Sequence, residues 1–416
     1  MGAVFLWNEI YPCYNFLMLS GENSGKRFLN VHPDVLKLGA VSFLTDISSE
    51  MIFSVFSVFF TVIVGAPAYL LGIVEGLSDL SASSLDYIAG WLSDKSGQRK
   101  KFAVAGYSFS TLAKISLLLP ASVASLAAFR VIERLGKSFR GPPRDAWLSS
   151  VAEAGNRGYA FGLHKALDKA GAILGPIGAY FLLRAMGETP ETFHLLFIFA
   201  LVTAALAVLV LLLMQDRPGT PHARENIFRA WRTLSRSFKI FLLPAGIFAL
   251  AYFSFGFLLL KAYAAGFAIR DVVLLYALFN ISFVLFSVPI GKLGDRVGRK
   301  PIILAGYVLY IAMLIGFIFA QTRAEIIVLF VLFGIFYTID EAQGKAFIAD
   351  LEPDRRATAI GFYNFTVGLL YLLASVIAGA LWVLNPVYAF AFAASTATVA
   401  LVAFILLQNR MFVLKK

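Results

Sequence analysis

The chain has 416 residues, of which 59% are hydrophobic and only 15% charged, and its mean hydropathy is +0.78. Soluble globular proteins carry about 25% charged residues, so this composition indicates an integral membrane protein. The net charge of +11 does not indicate a nucleic-acid partner, because the basic residues lie in short turns between apolar segments. A single cysteine excludes a disulfide framework, and four scattered histidines offer no metal motif.

The apolar segments predict an all-α membrane protein. A spanning helix needs about 20 mostly apolar residues, and the chain contains twelve such segments. Their predicted ranges are 35–64, 68–92, 102–121, 123–142, 158–184, 193–214, 241–262, 271–291, 302–321, 325–345, 357–382 and 386–408.

A polar stretch divides these spans into two groups of six. The predicted organisation is a cytoplasmic tail at 1–34, a six-helix bundle at 35–214, a cytoplasmic linker with an amphipathic helix at 215–240, a second six-helix bundle at 241–409 and a basic tail at 410–416. Lys and Arg are concentrated in the turns on one side of the spans. The positive-inside rule therefore places both termini in the cytoplasm. The predicted location of the protein is the cytoplasmic (inner) membrane.

A short charged motif follows the second span and recurs at the same place in the second half. Gly and Asp one helical turn apart allow a neighbouring backbone to approach and present its N–H groups to the carboxylate. The following Gly fits a left-handed helix end, and the basic residues fit a turn facing anionic lipid. The alternative is a plain basic turn that fixes orientation. The motif residues are Gly90, Asp94, Lys95, Gly97, Arg99 and Lys100, then Gly291, Asp295, Arg296, Gly298, Arg299 and Lys300.

This repeated loop resembles the loop between the second and third helices of major facilitator superfamily transporters. The resemblance covers about residues 35 to 410 and implies the superfamily fold, with twelve transmembrane helices in two pseudo-symmetric six-helix bundles. In that family the loop acts as a gate latch. By the pseudo-two-fold relation, we expect Asp94 to approach the start of span 11 near Thr358, and Asp295 the start of span 5 near Gly158.

Charged residues also occur inside the spans of the first half. An ionised side chain at mid-bilayer costs about 2.5 to 3.5 kcal/mol on insertion scales, so these groups should face water or one another. Internal ion pairs are one interpretation. We favour a polar cavity for protons and substrate, lined by Asp46, Glu50, Glu75, Asp79, Arg130, Glu133, Arg134, Lys137, His164, Asp168 and Lys169.

The second half has fewer charges and many aromatic residues, including Tyr252, Tyr337 and Tyr371. We expect the first half to supply the ionic contacts to a substrate and the second half the apolar contacts. Such a site fits a small organic solute that is charged and partly hydrophobic. We also expect Asp46 and Glu50 to form part of the proton site, with Arg130 or Arg134 as the partner that they exchange between two conformations.

Two further segments resemble family signatures. Arg130 with Gly136 is similar to the Arg and Gly signature of the fourth helix, which the family links to proton coupling. Gly171, Gly175 and Pro176 are similar to the fifth-helix signature of antiporters, although a small-residue packing seam explains the same residues.

These patterns predict a secondary active transporter driven by a proton gradient. The favoured mode is antiport that moves a small charged or amphiphilic organic solute outward, and the alternative is uptake of a small polar solute by symport. Its expected partners are the lipid bilayer, protons and a small-molecule substrate; we expect a monomer, no nucleic acid, no cofactor and no metal. A membrane-bound enzyme is a second class, without a catalytic motif to support it. A transporter fold used for sensing or lipid movement is a third.

Overall fold

The computed structural model describes residues 31–152, 156–216, 231–353 and 355–411, and these residues form twelve long helices and no strand. The first six are α1 (Pro33–Val58), α2 (Ala68–Ser96), α3 (Arg99–Ile115), α4 (Val123–Val151), α5 (Arg157–Met186) and α6 (Pro190–Leu213). The second six are α7 (Arg236–Ala251 and Gly256–Ala264), α8 (Ile269–Val297), α9 (Arg299–Phe319), α10 (Arg323–Leu351), α11 (Arg356–Leu384) and α12 (Pro386–Leu407).

Eight of the described helices are long and apolar enough to cross a membrane, judged by length and composition. The other four are α2, α3, α4 and α10. Helix α3 has only 17 residues, and the other three carry charges within their apolar segments, such as Glu75, Arg130 and Asp340. Residues 1–30 of the predicted tail, residues 217–230 of the linker with most of its predicted amphipathic helix, and residues 412–416 lie outside the described residues.

Local sequence signals mark the helix ends. The His32 side chain accepts a hydrogen bond from the Asp34 amide at 3.1 Å, and Pro33 occupies the first turn of α1. Gly97 ends α2 with φ +68°, and Gly298 ends α8 with φ +89°. Glycine adopts positive φ without steric cost, which explains why each repeated loop has a glycine at this position.

The helices depart most from the predicted spans in two places. Helix α4 continues through Pro142 and Pro143 to Val151, well past the predicted end at 142. Helix α7 is broken where a continuous span was predicted, because Ser254 offers the backbone other partners. Its hydroxyl accepts from the Gly256 amide at 3.2 Å, while its own amide donates to the Ser375 hydroxyl at 3.1 Å.

The two halves pack by the same rule. In the first half α1 contacts α5 and α6, α4 contacts α2 and α3, and α3 contacts α6. Adding six to each number gives the packing of the second half, in which α7 contacts α11 and α12, α10 contacts α8 and α9, and α9 contacts α12. The fold is therefore two pseudo-symmetric six-helix bundles, as predicted.

The halves meet along α2 with α11 and along α5 with α8. We call the end of the molecule that holds the two repeated loops the loop end, and the opposite end the far end. Towards the far end, α2 and α11 are in backbone contact, because a Cβ on Gly76 would lie 2.9 Å from the Cα of Leu372 and one on Gly379 would lie 2.8 Å from the carbonyl oxygen of Ala68. Small residues at these positions let the two halves close against each other there.

Candidate functional site

A cavity of about 350 Å³ lies between the two halves, from mid-molecule towards the loop end. The first half contributes Asp79, Asp86 and Arg134 from α2 and α4. The second half contributes Tyr252, Asp340, Glu341, Lys345, Asn364 and further tyrosines from α7, α10 and α11. The Lys345 side chain on this wall is 51% exposed, so the cavity has contact with the surroundings at the loop end.

Contacts between the halves close the molecule on the far side of this cavity. The Tyr276 hydroxyl on α8 donates to the Glu50 carboxylate on α1. The Ser254 hydroxyl, at the break in α7, donates to Glu75 on α2 at 3.3 Å. At the extreme far end the Arg270 amide donates to Glu188 at 2.9 Å. The accessible space therefore lies on the loop side of these contacts.

Glu75 and Arg130 form a buried bidentate ion pair inside the first half. The Arg130 Nε lies 2.8 Å from one Glu75 oxygen and its Nη2 lies 2.9 Å from the other. The Arg130 guanidinium also stacks on the Phe53 ring, 4.2 Å from its centroid. Two parallel charge-assisted hydrogen bonds fix Arg130 to α2, so in this conformation its partner is Glu75 and neither Asp46 nor Glu50.

A second charge cluster joins α1, α3 and α4. The Ser49 hydroxyl donates to Glu133 at 3.1 Å, and the Lys114 Nζ lies 3.4 Å from the Ser49 hydroxyl oxygen. Arg130 Nη1 lies 3.7 Å from Glu133 on the next turn of α4. Lys114 is fully buried. These pairs agree with the rule that buried charges need partners.

The acids and bases of α1 and α5 form a third group. Asp46 is buried, and the charges that act on it come from Asp168, Lys137, Glu50 and Lys169. Asp168 pairs with Lys165 at 3.4 Å, and the Lys169 Nζ lies 4.7 Å from the Phe283 ring centroid on α8.

One turn of α1 closer to the loop end than Asp46, the Ser42 hydroxyl contacts two basic side chains. Its oxygen lies 3.0 Å from His164 Nε2 and accepts a hydrogen bond from Arg144 Nη1 at 3.1 Å.

The repeated loops have matched contacts at the loop end. Lys100 donates to the Leu212 carbonyl at 2.9 Å and to the Met214 carbonyl at the C-terminus of α6. Lys300 donates to the Gln408 carbonyl at 3.2 Å at the C-terminus of α12. A lysine at a helix C-terminus satisfies free carbonyls and the helix dipole. Lys100 and Lys300 therefore have a structural role, whether or not they also act in gating.

The acidic residues of the motif are less constrained. Asp295 is 66% exposed and binds Arg299 of its own loop at 2.7 Å, and a Cβ on Gly158 would have no described atom within 4 Å. The Asp94 side chain lies outside the described residues. The proposed latch contacts stay a prediction for a conformation in which the loop end is closed.

The small residues of α5 lie against α1. A Cβ on Gly175 would be 2.5 Å from the Ile47 carbonyl oxygen and 3.0 Å from the Met51 amide nitrogen. A Cβ on Gly171 would likewise meet the Phe43 carbonyl oxygen. The interpretation of this motif as a packing seam therefore has a direct geometric basis, and Pro176 is buried beside it.

Comparison with known proteins agrees with this architecture. The family model of the Major Facilitator Superfamily matches residues 38–272 and 260–412. An uncharacterised MFS-type transporter of Methanocaldococcus jannaschii is 35% identical over 390 residues, which cover 92% of this chain and 96% of the relative. The chain belongs to the major facilitator superfamily.

Other relatives and solved structures are more distant. A multidrug resistance protein, MdtH, of Edwardsiella ictaluri is 26% identical over 167 residues, covering 40% of this chain and 39% of that protein. The crystal structure of a variant of the nucleoside transporter NupG superposes with a TM-score of 0.76 at 15% identity, covering 91% of this chain and 99% of that one. A peptide-bound POT family transporter superposes with a TM-score of 0.74 at 13% identity, over 91% and 96% of the two chains. These structures share the superfamily fold.

As a member of this superfamily, the chain is a multi-pass membrane protein that takes part in transport. Of the residues predicted to line its cavity, Asp79 and Arg134 do so. Glu50, Glu75, Arg130, Glu133, His164 and Asp168 instead have bonded partners among the helices, as described above. Asp46, Lys137 and Lys169 form the charged group shared by α1, α4 and α5.

The expected division between a charged first half and an apolar second half is wrong for this cavity. Asp340, Glu341 and Lys345 of the second half line it together with the tyrosines. These three charges were not among the residues predicted to line the cavity. Lys114 was missed altogether, although a lysine inside an apolar segment was a sufficient signal.

Proposed function

We propose that this superfamily member is a secondary active transporter that moves a small charged or amphiphilic organic solute by alternating access. The observation that carries the proposal is the cavity between the halves, which combines ionic and tyrosine side chains and has the halves in contact on its far side. A cavity volume of about 350 Å³ lies within the range that is usual for pockets that bind small molecules. Rocking of one bundle against the other would expose the same cavity at the far end.

A proton gradient is the proposed energy source, and no cofactor or metal is needed for this cycle. Asp46 lies among two acids and two lysines at the contact of α1, α4 and α5. Glu50 reaches across to Tyr276 of the other half. If the halves separate there, Glu50 loses this hydrogen-bond donor, so the surroundings of its carboxylate change with the conformation.

We propose antiport that drives efflux, with both termini in the cytoplasm and a monomer as the transporting unit. The glycine and proline motif of α5 and the partial similarity to a multidrug resistance protein support this direction. The basic residues at the loop end support a cytoplasmic location for that end. Proton-coupled uptake by symport is the alternative, because the same cavity and acids would serve it.

Flux measurements on the purified chain in proteoliposomes test the proposal. A panel of organic cations, anions and zwitterions would be offered with a pH gradient of either sign. Antiport predicts that vesicles with an acidic interior accumulate the solute, since protons leave as the solute enters. Symport predicts accumulation in vesicles with an alkaline interior. Lack of movement of every solute under both gradients would contradict proton-coupled transport.

A further inference from the structure

The cavity between the halves carries more acidic than basic side chains. Four carboxylates line it, from Asp79, Asp86, Asp340 and Glu341, against the two cations of Arg134 and Lys345. Each half contributes two of these four acids. At neutral pH the fixed charges of the lining therefore favour a positively charged occupant.

Each of the two cations has an acidic residue near it. Lys345 Nζ lies 3.5 Å from Glu341, one turn away on α10. Arg134 lies on the same wall of the cavity as Asp79, and of the surrounding charges that of Asp79 acts most strongly on Arg134. Within the described part of the chain, Asp340 has no ion pair or hydrogen bond. An uncompensated carboxylate in a membrane helix is costly, so a cationic ligand would supply its missing partner.

Tyrosines form the wall around this carboxylate. Tyr363 and Tyr371 line the cavity together with Asp340, and the same three residues line a smaller pocket. Tyr252 and Tyr371 are in contact, with ring centroids 5.1 Å apart. The face of a tyrosine ring attracts a cation, while its edge and hydroxyl give an apolar and hydrogen-bonding surface.

We propose that the cavity binds an organic cation, an ammonium group attached to an apolar or aromatic body. Asp340 is its counter-ion, and the tyrosine faces hold it by cation–π contact. The proposal rests on the proposed transport function, because it names the class of substrate for that cavity. It gives the second half of the chain the main role in charge recognition.

Calorimetric titration of the full chain in detergent tests this, with benzyltrimethylammonium as the probe and benzenesulfonate as an anion of similar size. We expect the cation to bind and the anion to bind at least about tenfold more weakly. Asp340→Asn should weaken cation binding about tenfold or more, because it removes the charge of the counter-ion. Asp340→Glu should recover most of the affinity.

Matched variants separate charge recognition from general damage. Tyr371→Phe keeps the ring face and should bind the cation nearly as well as the wild type, whereas Tyr371→Ala should bind it several-fold more weakly. Asp271→Asn, in the first turn of α8 and outside the cavity, should leave affinity unchanged. Equal affinity of wild type and Asp340→Asn for the cation, or tighter binding of benzenesulfonate, would overturn the proposal.

The flux experiment distinguishes the two proposals. If a pH gradient moves anionic solutes only, the transport function stands and the cation site is wrong. If benzyltrimethylammonium binds in an Asp340-dependent manner but no solute of any charge is driven by a pH gradient, the cation site stands and proton-coupled transport is wrong.

Discussion

Among single residues, Glu75 has the most consequential position, because it joins an internal ion pair to a contact between the halves. Its carboxylate is held by Arg130 on α4 and also accepts from Ser254 at the break in α7. The side chains of Glu75 and Arg130 are almost fully buried. A buried pair of this kind contributes less to stability than its removal suggests, since breaking it leaves one uncompensated charge.

We therefore predict that Glu75→Gln lowers the free energy of unfolding by about 3–5 kcal/mol. Thermal or chemical unfolding of the purified protein in detergent measures this. Adding Arg130→Gln should recover part of the loss, because no unpaired charge remains. Glu191→Gln, at an exposed helix N-terminus, is the control and should change stability little. A Glu75→Gln protein as stable as this control would show that the pair is dispensable.

Asp46 is the residue at which proton coupling is best tested. It is buried among charges of three helices but lies outside the lining of the cavity. Asp46→Asn should remove the dependence of transport on the pH gradient while sparing exchange of solute for solute, because exchange needs no net proton movement. The comparison is uptake with and without a gradient in the same vesicles. Gradient-driven transport at the wild-type rate would instead assign coupling to Glu75, Asp79 or Asp168.

At the scale of helices, the contact of α1 with α5 depends on glycine. The Gly175 Cα faces backbone atoms of Ile47 and Met51, which cannot move aside as a flexible side chain can. Gly162 lies on the same helix, where a Cβ would have no described atom within 4 Å. The same substitution should therefore have opposite effects at the two positions.

We predict that Gly175→Ala destabilises the protein by about 1–3 kcal/mol, the usual effect of overpacking. Gly162→Ala should be neutral or stabilising by up to about 1 kcal/mol, because alanine favours a helix more than glycine does. Melting temperatures of the two variants, measured side by side, check the prediction. It fails if Gly175→Ala melts at or above the temperature of Gly162→Ala.

The repeated loops give a prediction for the closing of the loop end. Asp94→Asn should reduce transport while leaving membrane insertion intact, because the carboxylate is expected to meet the N-terminus of α11 when this end closes. Lys100→Met is the comparison. Loss of the Lys100 ammonium removes a contact with the carbonyls of α6, so this variant should lower the stability of the protein in addition to transport. Wild-type transport by Asp94→Asn would exclude the latch.

The whole molecule has a cavity on the side of the loops and contact between its halves at the far end. Asn364 lines the cavity, whereas Ser57 is buried against Gly256 at the contact of α1 with α7. Cysteines at these two positions should therefore differ in their reaction with a membrane-impermeant thiol reagent.

We predict that Asn364→Cys, made in a Cys13→Ser background, reacts with the impermeant thiol reagent in inside-out vesicles and only slowly in intact cells. Ser57→Cys should be protected from the loop side. Labelling followed by mass spectrometry measures both. Faster reaction of Asn364→Cys from outside the cell would reverse the proposed orientation, and equal reaction of the two cysteines from the loop side would contradict closure at the far end.

The sequence by itself determined the helices, their two-fold repetition and the superfamily, because apolar length, turn glycines and the repeated motif are local properties. It also identified most of the intramembrane charges, although not Lys114, since each one is costly wherever it lies. It did not determine their partners, because the rotation of each helix about its axis and the depth of its contacts arise only when twelve helices pack. For this reason only the tertiary structure paired Arg130 with Glu75, linked Glu50 to Tyr276, broke α7 at Ser254 and placed Asp340 in a cavity with Asp79 and Arg134.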